Sequence, residues 1–259
     1  MKLLVFLVSL VLAGCSSGGG GAPDLGAPDQ LLPDAPRLDL PGLDLPLTDS
    51  PPTADAFTPL PGPGLLSGAC GELDDTEWSS SSPYLFRNAI ELPSTGFDPS
   101  QLSPGGLKVW TDGNRGGSSL HSEVFSFEVL HRCELAKLLK TETFIDYADA
   151  GGKKTDLLLE IDARKIGVSV TRAYHYPPTN PYTEAEAKAL LDKKLGDLPL
   201  SQANATTQDA WERSVLHVFA YDGQYADAVQ TAWAQVDATT KGDAILVLTV
   251  TDGLDDYIY

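Results

Sequence analysis

Basic residues are scarce in this chain: 18 Lys and Arg stand against 36 Asp and Glu, a formal net charge of −18. So acidic a protein repels phosphate backbones unless a metal ion or a local basic patch intervenes. That argues against a general nucleic-acid binder, though not against a metal-dependent nuclease, whose site is itself rich in carboxylates. Cysteine is nearly absent, three in 259 residues. No CxxC, HxxxH or HExxH spacing occurs, so a zinc site has no support. The GxSxG elbow and the phosphate-binding glycine loop are also missing, which removes the usual grounds for a serine hydrolase or a nucleotide enzyme. The apolar run at the start, Leu3 to Leu12 with only Ser9 polar, has ten residues, half of the roughly 20 that cross a bilayer.

That short run follows Lys2 and ends in Leu12-Ala13-Gly14-Cys15, the pattern of an export signal rather than a membrane helix. The four residues resemble a bacterial lipobox. The resemblance implies removal of residues 1–14, lipid on Cys15, and a mature protein held to a membrane outside the cytoplasm. In the Gram-negative lipoproteins it resembles, inner-membrane retention usually requires aspartate just after the cysteine. Ser16 and Ser17 stand there instead, which points to the outer membrane.

Residues 15–66 read as a tether. Gly18 to Gly21 is a glycine run, and Asp24, Asp29, Asp34, Asp39, Asp44 and Asp49 then recur every fifth residue among prolines and leucines. Proline fixes φ and removes donors, so neither helix nor sheet ladder propagates through the segment. Seven aspartates against Arg37 alone add self-repulsion. An extended, polyproline-like chain at roughly 3 Å per residue would hold a domain on the order of 100 Å from the lipid. The remainder, 67–259, is long enough for one good core and carries a net charge of −13 once the signal's Lys2 and the tether are set aside. With Cys15 committed to lipid, Cys70 and Cys133 are left; in an oxidising compartment the pair reads as a disulfide. It would close a loop of about 60 residues, worth roughly 4 kcal/mol. Two buried free thiols are the alternative.

Within the domain, 67–118 is rich in Ser, Gly and Pro and reads as a loop-rich extension with a short strand or two, such as Leu107-Lys108-Val109-Trp110. The core, 119–259, begins with a helix over about 119–139, where Leu120, Val124, Phe127, Leu130 and Leu138 recur at helical spacings. A strand at 144–147 follows, then a hairpin of 155–162 and 165–172. In its expected register Asp162 meets Lys165 and Leu159 meets Val168, which puts three apolar pairs on one face. Thr183 and Glu186 form a capping box for a helix over 183–195. A short helix is expected near 206–212, a strand at 214–221, a helix at 223–237 and a buried strand at 244–250. The fold class is α/β: a mixed-sheet α/β/α sandwich.

That order of elements, with the hairpin, resembles the restriction-endonuclease-like, or PD-(D/E)XK, superfamily over residues 119–250. The family has an aspartate at the start of its second strand and Glu-x-Lys on its third. Thr155-Asp156 falls at the first position, Ser169-Val170-Thr171 at the second, and Glu123 at the place of a helical glutamate that often accompanies them. The resemblance implies carboxylates that hold Mg²⁺ or Mn²⁺ and a lysine that orients the nucleophile. Ser169 and Thr171 depart from the motif: a neutral hydroxyl is a poor Mg²⁺ ligand and threonine carries no positive charge. Glu160 shares a face with Asp156, and Lys165 or Arg172 lies nearby, so displaced partners are conceivable.

Each of these residues also has a plain structural reading. Asp156 would cap a turn at the strand start. Glu160 and Asp162 would be a solvated strand face, with Asp162 paired to Lys165. Glu123 would be an exposed helix residue or pair with a basic neighbour. His217, inside an apolar strand, reads as a satisfied core histidine. The aromatics Tyr174-His175-Tyr176 before Pro177-Pro178 either line a cleft or pack at an edge. Three functions remain: a non-catalytic lipoprotein that binds a protein or envelope ligand and needs no cofactor, a nuclease or phosphodiesterase using Mg²⁺ or Mn²⁺ at Asp156, and a structural envelope component.

Overall fold

Asp162 and Ala163, both with positive φ (49° and 62°), turn the chain sharply between two antiparallel strands, β4 (Leu157–Ile161) and β5 (Arg164–Ala173). Left-handed conformations at both central residues are those of a two-residue turn whose twist matches that of the strands. The computed structural model describes residues 57–115, 117–177, 180–253 and 258. Residues 1–56, on which the expected export signal, the lipid site Cys15 and most of the expected tether fall, lie outside the described residues. The hairpin pairs Ile161 with Arg164, Leu159 with Ile166 and Leu157 with Val168, two residues displaced from the expected register. A shift of two preserves faces, so Leu157, Leu159, Ile161, Ile166, Val168 and Val170 still enter one core.

The hairpin belongs to a seven-stranded mixed sheet. The other strands are β1 (Leu65–Gly68), β2 (Tyr84–Glu91), β3 (Lys137–Thr141), β6 (Arg213–Ala220) and β7 (Ile245–Val250), in the spatial order β1-β2-β7-β6-β5-β4-β3. The run β2-β7-β6-β5 is parallel, and β1, β4 and β3 are antiparallel to their neighbours. Every residue of β6 and β7 is buried, as expected of parallel strands covered on both faces. One face packs under α3 (Leu120–Glu134) through Val124, Phe127 and Leu130. The other packs under α4 (Glu184–Asn204) and α5 (Gly223–Gln235) through Leu191, Leu195, Tyr225 and Val229. The capping box is present: the Thr183 Oγ1 accepts from the Glu186 N–H, and the Glu186 carboxylate accepts from the Thr183 N–H.

Several expected elements take other forms. Leu107–Trp110 is helical, inside α2 (Pro104–Asp112), which opens on Ser103 as N-cap and Pro104 at its first position. Gly105 and Gly106 disguise this helix in the sequence. A Cβ at Gly106 would run into the Glu128 carboxylate of α3, so glycine serves the close approach of the two helices. Residues 144–147 make only a single bridge, Tyr147 to Ala205, and the first strand of the meander lies earlier, at β3. α4 runs through Pro199 to Asn204 rather than ending near 195, while 206–212 is turn. Proline inside a helix costs roughly 3 kcal/mol of propensity; it lies on the exposed side, and the burial of Leu195 and Leu198 offsets that cost.

The domain also starts before residue 67. The buried Arg132 guanidinium donates to the carbonyls of Leu60 (2.7 Å), Pro63 (2.6 Å) and Gly64 (3.0 Å). The expected boundary at 66/67 falls inside β1, which pairs with β2. Cys133, next to Arg132, is disulfide-bonded to Cys70, 63 residues away.

Candidate functional site

Asp156 sits just before β4. Its N–H donates to the Val168 carbonyl (3.0 Å), and its Oδ2 accepts from the Val170 N–H (2.5 Å). The carboxylate thus occupies the place of a backbone acceptor at the end of the ladder. One step beyond the Leu157–Val168 pair, Ser169 lies opposite Asp156 in register and is buried. Glu123, in the first turn of α3, is 2% exposed rather than solvated. Its Oε1 accepts from the Ser119 hydroxyl (2.8 Å) and the Asn114 amide (3.1 Å).

Burial pushes the Asp156 carboxyl up to about 7, and the negative charge of Glu123 adds to the rise; the Val170 N–H and the Lys194 ammonium oppose it. Glu123 is raised too, chiefly by burial, against the hydrogen bonds from Asn114 and Ser119. Each acid feels Glu142 as a further negative charge and Lys194 as a positive one. The fold therefore gathers Asp156 and Glu123 from positions 33 residues apart and brings a lysine toward them from α4.

Glu160 does not join them. It pairs with Lys137 at 2.8 Å, across the β3–β4 ladder. Asp162 is exposed in the hairpin turn, and Lys165 donates instead to the Gln208 carbonyl (2.7 Å). Thr171 lines a cavity of about 450 Å³ with Ser119, Ser122, Arg172, Tyr174 and Lys194. Arg172 contributes to that lining. Lys194 carries a signal the sequence does hold: it stands three residues after Leu191 and four before Leu198, both buried, so it falls on the inner stripe of α4.

The donor set does not fit a divalent ion. Asp156 spends Oδ2 on Val170, Glu123 spends Oε1 on two side-chain donors, and Ser169 stands where a third carboxylate would complete a Mg²⁺ or Mn²⁺ shell. Among the described residues no group of three or more His, Cys, Asp or Glu side chains is arranged to hold a metal.

His217 is a satisfied core histidine. Ser126 Oγ lies 2.8 Å from its Nδ1, Thr249 Oγ1 lies 2.7 Å from its Nε2, and Thr249 donates to Asn88 Oδ1 (2.6 Å). Because Thr249 spends its proton on Asn88, it accepts from Nε2–H, and Nδ1 accepts from Ser126. Burial lowers the imidazole to about 3. Of the aromatics before Pro177, Tyr174 lines the cavity and packs edge-on to Tyr221, whereas Tyr176 is 81% exposed.

No family model matches this chain, and no solved structure matches it. Over 152 residues, 56% of its length, it is 37% identical to the AAC-rich mRNA clone AAC4 protein of Dictyostelium discoideum, and it spans about a fifth (22%) of that protein's length. Among the described residues no helix is long and apolar enough to cross a membrane. What the fold and site define is a mixed α/β domain with a half-buried Asp156 and a buried Glu123 near a cavity whose described lining includes Arg172 and Lys194.

Proposed function

We propose that this is a lipid-anchored lipoprotein of the cell envelope, held at the outer membrane through Cys15. Its domain keeps a restriction-endonuclease-like scaffold and acts in binding rather than in phosphodiester cleavage. The scaffold reading is supported by the order α3, three-strand meander, α4 and a strand parallel to the third strand of the meander, with Asp156 at the start of β4 and Glu123 in the preceding helix. One observation supports a non-catalytic role: Ser169 lies opposite Asp156, where the motif would add a further metal-binding carboxylate to Asp156 and Glu123. The anchor rests on Leu12-Ala13-Gly14-Cys15 behind a ten-residue apolar run.

A second reading is favoured by Lys194. A lysine approaches the two carboxyls from α4, so the charges a nuclease needs are partly gathered, with the lysine coming from α4 rather than from the motif position on β5. The full chain incubated with DNA and RNA, with Mg²⁺ or Mn²⁺ and then with chelator, decides between them. The expected result is no cleavage above that of Asp156→Ala. Metal-dependent cleavage lost in that variant would make the protein an exported nuclease. Labelling with radioactive palmitate tests the anchor separately, with incorporation expected to vanish in Cys15→Ser.

A further inference from the structure

The two edges of the sheet are finished differently. β3 closes one edge with Lys137 and Lys140 and with a bulge between Leu138 and Lys140, devices that keep an exposed strand from pairing with another chain. β1 closes the other edge with Leu65-Leu66-Ser67-Gly68, which carries no charge, no proline and no bulge in its register with β2. Leu65 is 70% exposed. We infer that the outer edge of β1 is a docking site for an extended segment of a partner protein, which adds to the sheet as a further strand. The inference rests on the binding reading above and names the partner class for it.

The register fixes which backbone groups are on offer. The Ala69 N–H donates to the Arg87 carbonyl (3.0 Å). In this antiparallel pair the backbone groups of Leu65, Ser67 and Ala69 therefore turn toward β2, and those of Leu66 and Gly68 turn away from it. Among the described residues no partner takes the N–H and C=O groups of Leu66 and Gly68. An extended chain is the ligand that answers such an alternating row of donors and acceptors. Side chains of that strand have a seat as well. At the start of β1 a cavity of about 360 Å³ is lined by Gly62, Gly64, Leu65, Pro93 and the buried Leu92, which suits an apolar side chain. Glu91 shares this lining and stands opposite Leu65, exposed and without an ion pair among the described residues, which favours Lys or Arg in the docking strand. A second copy of this chain fits less well. β1 has no basic residue to meet Glu91, and two copies of so acidic a chain would bring like charge to the interface.

The test is selection of a random dodecapeptide phage library on the full chain, followed by titration of the enriched peptide, labelled with fluorescein, by fluorescence anisotropy. Enriched sequences should alternate apolar and polar residues and carry Lys or Arg. Binding should weaken about tenfold in the double variant Leu65→Lys, Ser67→Lys, which gives β1 the guard that β3 already has. Both positions are exposed, and a melting curve confirms that the variant folds. N-methylation of every second residue of the peptide should abolish binding in one phase, where it removes the donors that meet β1, and spare it in the other. Glu91→Gln should weaken binding less than the double variant does. No enriched sequence overturns the inference alone, because the cleavage assay decides the binding reading separately. Equal binding by wild type and the double variant overturns it, as does indifference to N-methylation in both phases. Sedimentation that finds a dimer, lost in the double variant, would assign the edge to a second copy and overturn the partner proposed here.

Discussion

Asp156 and Lys194 hold the two ends of one residue: the Asp156 carboxylate accepts from the Val170 N–H, and the Lys194 ammonium donates to the Val170 carbonyl. An acid and a base that do not form an ion pair with each other are thereby joined through the backbone of β5. A change at either is transmitted to the strand that lines the cavity.

The pH dependence of stability follows from a half-buried group and a buried one working in opposite directions. Asp156 is raised from 3.8 to about 7, so between those values the folded state holds a proton that the unfolded state has released. Its contribution is complete below about pH 4 and is lost as pH rises through 7. Since the residue is half-buried rather than sealed, the loss is on the order of 2 kcal/mol, about half of what a shift of that size would give without screening. Asp156→Asn keeps an acceptor for the Val170 N–H and removes the titration. Chemical denaturation at a series of pH values should show stability rising more steeply with pH in the variant than in wild type between 4 and 7.

His217 supplies the opposing slope. Its imidazole is lowered from 6.5 to about 3, so its contribution is complete above 6.5 and is lost as pH falls toward 3. Replacement by Leu removes that acid-side loss. It also leaves Ser126 and Thr249 without their shared partner inside the core, at a cost of about 2–4 kcal/mol near neutral pH. The variant's stability should then fall as pH rises, the reverse of the tilt in Asp156→Asn. Parallel profiles for the two variants would show that neither group governs the dependence.

Arg132→Met should release residues 57–64. The substitution keeps the apolar stem but leaves the carbonyls of Leu60, Pro63 and Gly64 without their donor, and a loss of about 2–3 kcal/mol is expected. Limited proteolysis read by mass spectrometry should find new cleavage before β1 and none within β6 or β7.

Gly167→Ala should destabilise by about 1–3 kcal/mol. A Cβ there would collide with the Trp211 indole, whose Nε1–H donates to Ser214 Oγ (2.9 Å). A melting curve together with tryptophan fluorescence checks this. A red-shifted emission would report Trp211 leaving its buried seat.

Much of the core could be read in the sequence because its signals are local. The apolar faces of the β4–β5 hairpin, the continuous apolar runs of β6 and β7, and the Thr183–Glu186 capping box need no distant partner to be recognised. The same holds for the pairing of Cys70 with Cys133 once Cys15 is set aside. What stayed hidden depends on residues far away in the chain. β2 reads as loop because Arg87 and Asn88 interrupt it, yet their partners, Asp227 and Thr249, come from 140 and 161 residues downstream. α2 reads as loop and a short strand because its glycines make sense only against Phe127 and Glu128. At the site, Asp156 and Glu123 were legible from motif position, whereas Glu160 was drawn off by Lys137 on a neighbouring strand. Lys194 went unnoticed because a lysine on an inner helical stripe resembles its solvated neighbours until the facing strand is in place.

Arg132 and Cys133 are adjacent in α3, so the early part of the domain is moored to one spot by two fastenings of different strength. Tension applied from the N-terminal side would first strip the three carbonyls from Arg132 and then peel β1 from β2. It would stop at the covalent bond between Cys70 and Cys133. Beyond that point the load enters the molecule through α3, and β2, which lies inside the loop the disulfide closes, is spared a direct pull. A domain built this way can give up residues 57–69, edge strand β1 included, under strain and keep the other six strands of its sheet together.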